Sequence, residues 1–362
     1  MAIVDLGSPR IGALPTTTDH TATADRPALP GLIDRFGRVA TDLRVSVTDR
    51  CNLRCDYCMP AEGLDWLPRQ ELLTDDEIVR LIRIGTERLG IDEVRYTGGE
   101  PLVRKGLVDI VRRVTRLRRP PMQSMTTNGI GLARMANTLR QAGLDRVNVS
   151  MDTVDPDTFA AITRRPRLPD VLAGLRAAAA AGLTPVKVNA VLQRGVNDRQ
   201  APDLLAYCLD CGYQLRIIEQ MPLDAQHGWR RDRMVTAADV FAVLADRFRL
   251  RPHPGARGGA PAELFDVLDG AGAVLGTVGI IASVTRPFCG DCDRTRLTAD
   301  GQLRNCLFAR TETDLRALLR SGCSDEALAT AWRSAMWSKA PGHGIDDPSF
   351  LQPDRPMSAI GG

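Results

Sequence analysis

The chain is expected to fold as an α/β protein: an incomplete (βα)6 TIM-type barrel with a C-terminal antiparallel subdomain closing its open side. Three observations lead there. Short apolar runs alternate with longer amphipathic stretches from Leu43 to about residue 223; glycines stand where those stretches should stop; and beyond residue 223 the rhythm changes to closely spaced strands joined by turn signals. A strand repeatedly followed by a helix implies a parallel sheet, because parallel neighbours need a crossover. At 362 residues the chain has room for two domains.

Residues 1–30, with Pro9, Pro15, Thr16, Thr17, Thr18, Pro27 and Pro30, carry no apolar period and read as a flexible leader without assigned function. The strand candidates of the barrel, residues 31–223, are Leu43 to Thr48, Glu93 to Thr97, Gln123 to Thr127, Arg146 to Asp152, Val186 to Leu192 and Gln214 to Gln220. Between them, Thr74 with Glu77 makes a capping box, and Gly90, Gly143, Gly182 and Gly212 end helices. In such barrels the chemistry sits in the loops after the strands. Residues 224–345 form the expected subdomain. A helix capped by Thr236 and Asp239 leads to strands Glu263 to Leu268 and Val274 to Ala282. Strands Arg296 to Thr298 and Gln302 to Leu307 are then joined by an Asp300-Gly301 hairpin. Helices around Asp314 to Arg320 and Glu326 to Lys339 precede a tail, residues 346–362, ending Gly361-Gly362.

Composition excludes several classes. Hydrophobic residues at 44% and charged residues at 25% are the globular average, against disorder or a fibre. The balance of 47 basic to 44 acidic residues gives only +3, which does not support a nucleic-acid binder. No apolar run approaches the ~20 residues of a membrane span. Nine cysteines are too sparse for a disulfide scaffold, and no secretory signal opens the chain, so a cytoplasmic location is expected. His20, His227, His253 and His343 lie far from one another and from the cysteine clusters, leaving thiolate as the expected metal ligand.

Cys51, Cys55 and Cys58 follow the first strand with the spacing C-x-x-x-C-x-x-C. Three thiolates on one loop suit a 4Fe-4S cluster with one iron left open to a small molecule. The bland alternative is a zinc loop lacking a ligand, or buried thiols. Gly98-Gly99-Glu100-Pro101 follows the second strand, where glycines permit close backbone approach and the free edge can bond an ammonium. These motifs, with Tyr57 before the last cysteine, resemble the radical S-adenosylmethionine (SAM) superfamily. The resemblance implies that the open iron chelates SAM, which is cleaved to a 5′-deoxyadenosyl radical.

Cys289, Cys292 and Cys306 supply a second triad across the hairpin and imply a second open cluster, with a zinc ribbon as the rival. Cys208 and Cys211 read as core or boundary residues of a helix, and Cys323 as structural. Arg44, Arg95, Lys187 and Arg216 interrupt apolar strands, and Arg294 and Arg296 follow Cys292. Buried charge is costly unless paired or turned to a ligand, and guanidinium pairs bidentately with phosphate. The alternative is salt bridges to acids such as Glu219 and Asp152.

Together with Leu43-Arg44-Val45-Ser46-Val47-Thr48-Asp49-Arg50-Cys51, Thr97-Gly98-Gly99-Glu100-Pro101-Leu102, Asn148-Val149-Ser150-Met151-Asp152 and the terminal Gly-Gly, the twin triads resemble the GTP 3′,8-cyclase (MoaA) family of molybdenum cofactor biosynthesis. The resemblance implies that the adenosyl radical removes the ribose 3′ hydrogen, that C3′ attacks guanine C8, and that reduction gives 3′,8-cyclo-7,8-dihydro-GTP. It implies two 4Fe-4S clusters and SAM as cofactors, with Tyr57, Gly99, Ser150 and Met221 lining the SAM site. It also implies that Arg44, Arg95, Thr126, Lys187, Arg216, Arg294, Thr295 and Arg296 hold GTP, and that Gly361-Gly362 reaches the active site. The partners implied are an electron donor such as flavodoxin or ferredoxin and a downstream cyclic pyranopterin monophosphate synthase, the chain acting as monomer or homodimer. The alternatives are another twin-cluster enzyme such as a peptide maturase, or a zinc-stabilised nucleic-acid module using Arg112, Arg113, Arg116, Arg118 and Arg119. That basic run reads more simply as a solvated helix face.

Overall fold

The computed structural model describes Arg26 and residues 29–361; the rest of the expected leader, and Gly362, lie outside the described residues. The strands are β1 (Asp42–Ser46), β2 (Glu93–Thr97), β3 (Met122–Thr127), β4 (Arg146–Ser150), β5 (Lys187–Val191), β6 (Gln214–Ile218), β7 (Arg249–Pro252), β8 (Glu263–Leu268), β9 (Val274–Ile281), β10 (Arg294–Leu297), β11 (Gln302–Arg304) and β12 (Thr313–Asp314). The six expected βα units are all present, and β1 to β6 pair in sequence as parallel neighbours. Both capping boxes form, at Thr74 with Glu77 and at Thr236 with Asp239. Gly143 takes φ 109° as the helix Leu132–Ala142 ends, a left-handed conformation that a Cβ would penalise.

The C-terminal strands correct one expectation. They do not build a separate antiparallel sheet but extend the barrel sheet at both edges, in the order β12-β11-β10-β1-β2-β3-β4-β5-β6-β9-β8-β7. β10 joins β1 in parallel, with Leu43 opposite Thr295, and β9 joins β6 in parallel, with Leu215 opposite Val278. The antiparallel pairs lie outside these joins. The sheet therefore stays an open barrel. Its gap is bridged where the loop after β7 meets the segment before β10: Gly259 packs on Asp293, and Arg257 stacks over Phe288. The hairpin strand begins at Arg294 rather than Arg296, which brings both arginines into the sheet. β7 and β12 were not expected, being short and charged.

Parallel strands buried on both faces read as continuous apolar runs. These strands alternate instead. Leu43, Val45, Val94, Tyr96, Met125, Val147, Val149, Val188, Leu215 and Ile217 are buried in one core, each contributing roughly 1.5–3 kcal/mol. Their sequence neighbours, being one residue out of phase, face the barrel interior. The basic run is only partly helical: Arg112 and Arg113 lie on the helix Leu107–Thr115, with Arg113 paired to Asp76 at 2.7 Å, whereas Arg118 and Arg119 lie beyond it. Cys208 is buried in the core and Cys211 exposed at the end of its helix.

Candidate active site

Register places the interior residues in rows. Arg296, Arg44, Arg95, Ser124 and Arg146 stand side by side on β10, β1, β2, β3 and β4. Next to them run Thr126, Asn148, Lys187 and Gln214, with Asn189 opposite Arg216 on the neighbouring step. All of these but Ser124 and Gln214 line a cavity of about 940 Å³ that also takes in Asp42, Glu93, Arg294, Phe288, Leu307 and Met221. Gly279 faces Arg216, and a Cβ there would meet the Arg216 side chain at 2.6 Å.

The acids that balance this row are Asp42 and Glu93, not Glu219 and Asp152. Arg44 donates to Asp42 at 2.8 Å, and Arg95 to Glu93 at 2.7 Å. Arg146 donates to the same Glu93 oxygen. Burial would raise the Asp42 carboxyl, but Arg44 and Arg95 hold it at about 2. Glu219 instead accepts backbone N–H bonds from Ala237, Val284 and Thr285, and Asp152 accepts from the Tyr57 hydroxyl at 2.9 Å and from Val191 N–H. Burial raises Asp152 to about 6. Asp293 and Glu263 also line the cavity, beside Arg294 and Arg286, yet the arginines and lysine of the lining still outnumber its acids. Arg294 Nη2 and Arg216 Nε are buried without hydrogen-bond partners, and burial beside Arg216, Arg146 and Arg95 lowers the Lys187 ammonium to about 7. Such a surface fits a polyanion.

The cysteine triads lie at opposite ends of adjacent strands. Cys51, Cys55 and Cys58 follow β1, whereas Cys289 and Cys292 precede β10, which runs parallel to β1, and Cys306 follows the antiparallel β11. The first triad obeys the rule that barrel chemistry follows the strands; the second does not. Their separation is of the order of a five-residue strand, about 15–20 Å, with the basic row between. Among the described residues no three His, Cys, Asp or Glu groups close on one point as a single ion requires. Burial apart, Cys51 and Cys58 are nevertheless near enough to raise the Cys55 thiol, and Cys292 and Cys306 near enough to raise that of Cys289. Zinc would draw its thiolates to about 2.3 Å from one centre. Three all-sulfur ligands leave a tetrahedral zinc one short and fit a polynuclear iron–sulfur centre with one open iron. Burial pushes the Cys58 thiol up to about 12 and raises Cys51 and Cys55 as well, so the first triad ionises against a metal, whereas, against its burial, Arg294 and Lys339 lower the Cys292 thiol.

The glycine motif seats the first loop. Gly99 N–H donates to Thr48 O at 2.8 Å and Glu100 N–H to Arg50 O at 2.7 Å, and a Cβ on either glycine would strike that backbone. The close approach expected of these glycines is thus made to the chain's own cysteine loop, and these two N–H groups are not free for a ligand. Glu100, raised to about 7 by burial, accepts from Thr127 and from Asn128 N–H, both at 2.7 Å. Asn128 in turn reaches Asn52 at 2.7 Å and the Cys51 sulfur at 3.9 Å. Met221 lines the large cavity, while Tyr57, Gly99 and Ser150 sit at the C-terminal ends of β1, β2 and β4, outside its lining.

Thr295 is a correction. Lying between Arg294 and Arg296, it points to the opposite face, where its hydroxyl accepts from Trp332 Nε1 at 3.1 Å and is fully buried. The tail, whose last residue Gly362 lies outside the described residues, lies against β1 and β10 at its described end. It ends in a short helix, Met357–Ile360, with Ser46 Oγ donating to Ile360 O at 3.1 Å and Arg296 to Gly361 O at 2.6 Å. Ser358 lies close enough to the Cys58 sulfur to oppose its upward shift. A side chain at Gly361 would collide with Ser46 and Thr97. Asp42, Glu93, Arg146, Asn128 and Asn189 were missed in the sequence. For all but Asn128, which follows β3, the signal was the strict alternation in D-L-R-V-S, E-V-R-Y-T, R-V-N-V-S and K-V-N-A-V.

The radical SAM superfamily model matches residues 45–208, and a Molybdenum Cofactor Synthesis C model matches residues 213–345. A Streptomyces coelicolor protein named GTP 3′,8-cyclase is 64% identical over 341 residues, covering 94% of this chain and 99% of its own. A Mycobacterium tuberculosis protein named GTP 3′,8-cyclase 2 is 62% identical over 336 residues, covering 93% of each. Among solved structures, Streptococcus suis SuiB bound to S-adenosylmethionine superposes with a TM-score of 0.52 at 13% identity, over 82% of this chain and 68% of that one, a likeness of fold alone. No helix among the described residues is long and apolar enough to cross a membrane. With two cysteine triads flanking a basic cavity and near full-length identity to named cyclases, the chain belongs to the GTP 3′,8-cyclase family of the radical SAM superfamily.

Proposed function

We infer that the chain is a lyase converting GTP to 3′,8-cyclo-7,8-dihydro-GTP, the first step of molybdenum cofactor biosynthesis, with SAM and two 4Fe-4S clusters as cofactors. The observation that carries this reading is the arginine row of β10, β1, β2 and β4, lying between two all-cysteine triads. Identity of 64% to a cyclase favours it over a peptide maturase. In this reading Cys51, Cys55 and Cys58 hold the first cluster, with Tyr57, Gly99, Ser150 and Met221 around SAM, and Cys289, Cys292 and Cys306 hold the second. The cluster held by Cys51, Cys55 and Cys58 would supply, with SAM, hydrogen-abstracting radical chemistry, and the one held by Cys289, Cys292 and Cys306 would supply a Lewis-acidic iron for the purine.

The chain's own task is placement. Arg44, Arg95, Thr126, Lys187 and Arg216 take the triphosphate, with Arg146 added to the set, while Arg294 and Arg296 act nearer the second triad. Anchoring GTP at both ends fixes the ribose between them, which turns an encounter into a held geometry. Gly361 gives Arg296 a carbonyl and leaves no room for a side chain against Ser46 and Thr97. Substrate filling the cavity would also keep water from a reactive carbon centre. The test is an anaerobic assay of reconstituted protein with GTP, SAM and reductant. Transfer of deuterium from the GTP 3′ position to 5′-deoxyadenosine, with a cyclised triphosphate product, is expected; 5′-deoxyadenosine without that transfer refutes the reading.

Lys187 makes binding proton-linked. Its free pKa is about 7, and a bound triphosphate raises it, so affinity is full at low pH and declines as pH climbs through the bound value. The terminal phosphate, with a pKa near 6, is already ionised there. GTP affinity is expected to fall about tenfold between pH 7 and 9, and Lys187→Arg to flatten the profile; an unchanged slope in that variant would exclude Lys187 as the titrating group.

The reading extends to two functional units, 31–223 and 224–345, within one continuous sheet. It also includes an electron donor such as flavodoxin or ferredoxin, a cyclic pyranopterin monophosphate synthase taking the product, a monomer or homodimer, and a cytoplasmic location.

A further inference from the structure

We propose that Lys339 is the positioning residue of the second cysteine triad, holding the Cys292 sulfur and supplying the buried positive charge its cluster requires. The proposal rests on the reading of Cys289, Cys292 and Cys306 as cluster ligands. Lys339 is only 3% exposed. Its ammonium donates to the Cys292 sulfur at 3.2 Å, Cys292 O at 3.1 Å and Arg294 O at 3.0 Å, using all three of its protons. No Asp or Glu forms an ion pair with it among the described residues. An ammonium this deep needs an anion, and the sulfur is the one group in its shell that can become one.

The placement is built rather than incidental. The helix Asp325–Trp337 delivers Lys339 just past its C-terminal end, and Trp332 pins that helix to Thr295 in β10. On the other side of the loop, Arg38 donates to Cys289 O at 2.7 Å and to Pro341 O at 2.9 Å and Ala340 O at 2.6 Å. The cysteine loop is therefore gripped by one cation at each of its first two ligands. Partners of this kind fix ligand orientation and tune a centre's potential.

The test uses anaerobically reconstituted enzyme in which each cluster's midpoint potential and EPR signal, and iron release to a chelator, are followed separately. Lys339→Met is expected to shift the second cluster's potential downward, since removing a positive charge disfavours the reduced form, and to speed loss of its iron about tenfold. The first cluster should not move. Lys339→Arg should restore most of the potential, and Lys339→Gln, which keeps N–H donors without charge, should resemble Met. If Lys339→Met does not fold, the Gln and Arg variants decide by the same readouts. Equal second-cluster potentials in all variants overturn the proposal. Wild-type protein holding only one cluster would instead defeat the reading on which it rests.

Discussion

Alanine at Cys289 is expected to abolish cyclisation while leaving SAM cleavage in place. Losing an outer partner of a metal ligand costs about 10–100-fold, so losing a ligand should exceed that. Iron should fall from about eight to about four per chain. The first triad is seated independently: its loop is fixed by Thr48 and Arg50 carbonyls on Gly99 and Glu100 and by Asn128 beside Cys51, none of which touches the second triad. The Cys289 backbone is held by Arg38, so the fold does not depend on the thiol. Cys51→Ala should show the same iron loss but form no 5′-deoxyadenosine. Iron analysis, EPR and product chromatography check both. Full turnover by Cys289→Ala, or a wild-type second site filled by zinc alone, would defeat the twin-cluster assignment.

Local rules made much of this legible. Six βα units, two capping boxes and both triads follow from neighbours in sequence, because caps and period-2 strands are decided within a few residues. What escaped depends on which distant strands pair. That β10 and β9 add to the barrel rather than to a sheet of their own follows from Leu43 meeting Thr295 and Leu215 meeting Val278, a choice made over tens to hundreds of residues. The counter-ions escaped for a related reason. Arg95 finds Glu93 two residues away on its own strand, but Arg146 reaches that carboxylate from β4. Thr295 was legible and misread: in Arg294-Thr295-Arg296 the pleat turns the middle residue away from its neighbours, and its hydroxyl meets Trp332 instead. Lys339 carried no sequence signal at all, since its partners are defined only when the last long helix docks on β10.

Arg296→Ala is expected to weaken GTP binding by about ten- to a hundredfold, the worth of a hydrogen bond to a charged group, while SAM binding stays within about twofold. Burial, with Arg44 and Arg294 alongside, drives the Arg296 guanidinium down to about 9. A basic group whose folded pKa lies below its unfolded one costs stability wherever it is charged, which at pH 7 it is. Removing it relieves repulsion on Arg44 and Arg294, against the loss of one bond to Gly361 O. The ligand-free variant should therefore melt no lower than wild type, and the same substitution should fail in function. Residues that serve only the fold do the reverse, since most substitutions at buried positions destabilise. Arg296→Lys keeps the charge without the planar fork and should recover only part of the affinity. Calorimetry with GTP and with SAM, beside thermal melting, separates the cases: a fall in melting temperature matched by equal losses of both ligands would mark Arg296 as a structural residue and remove the arginine row from the substrate site.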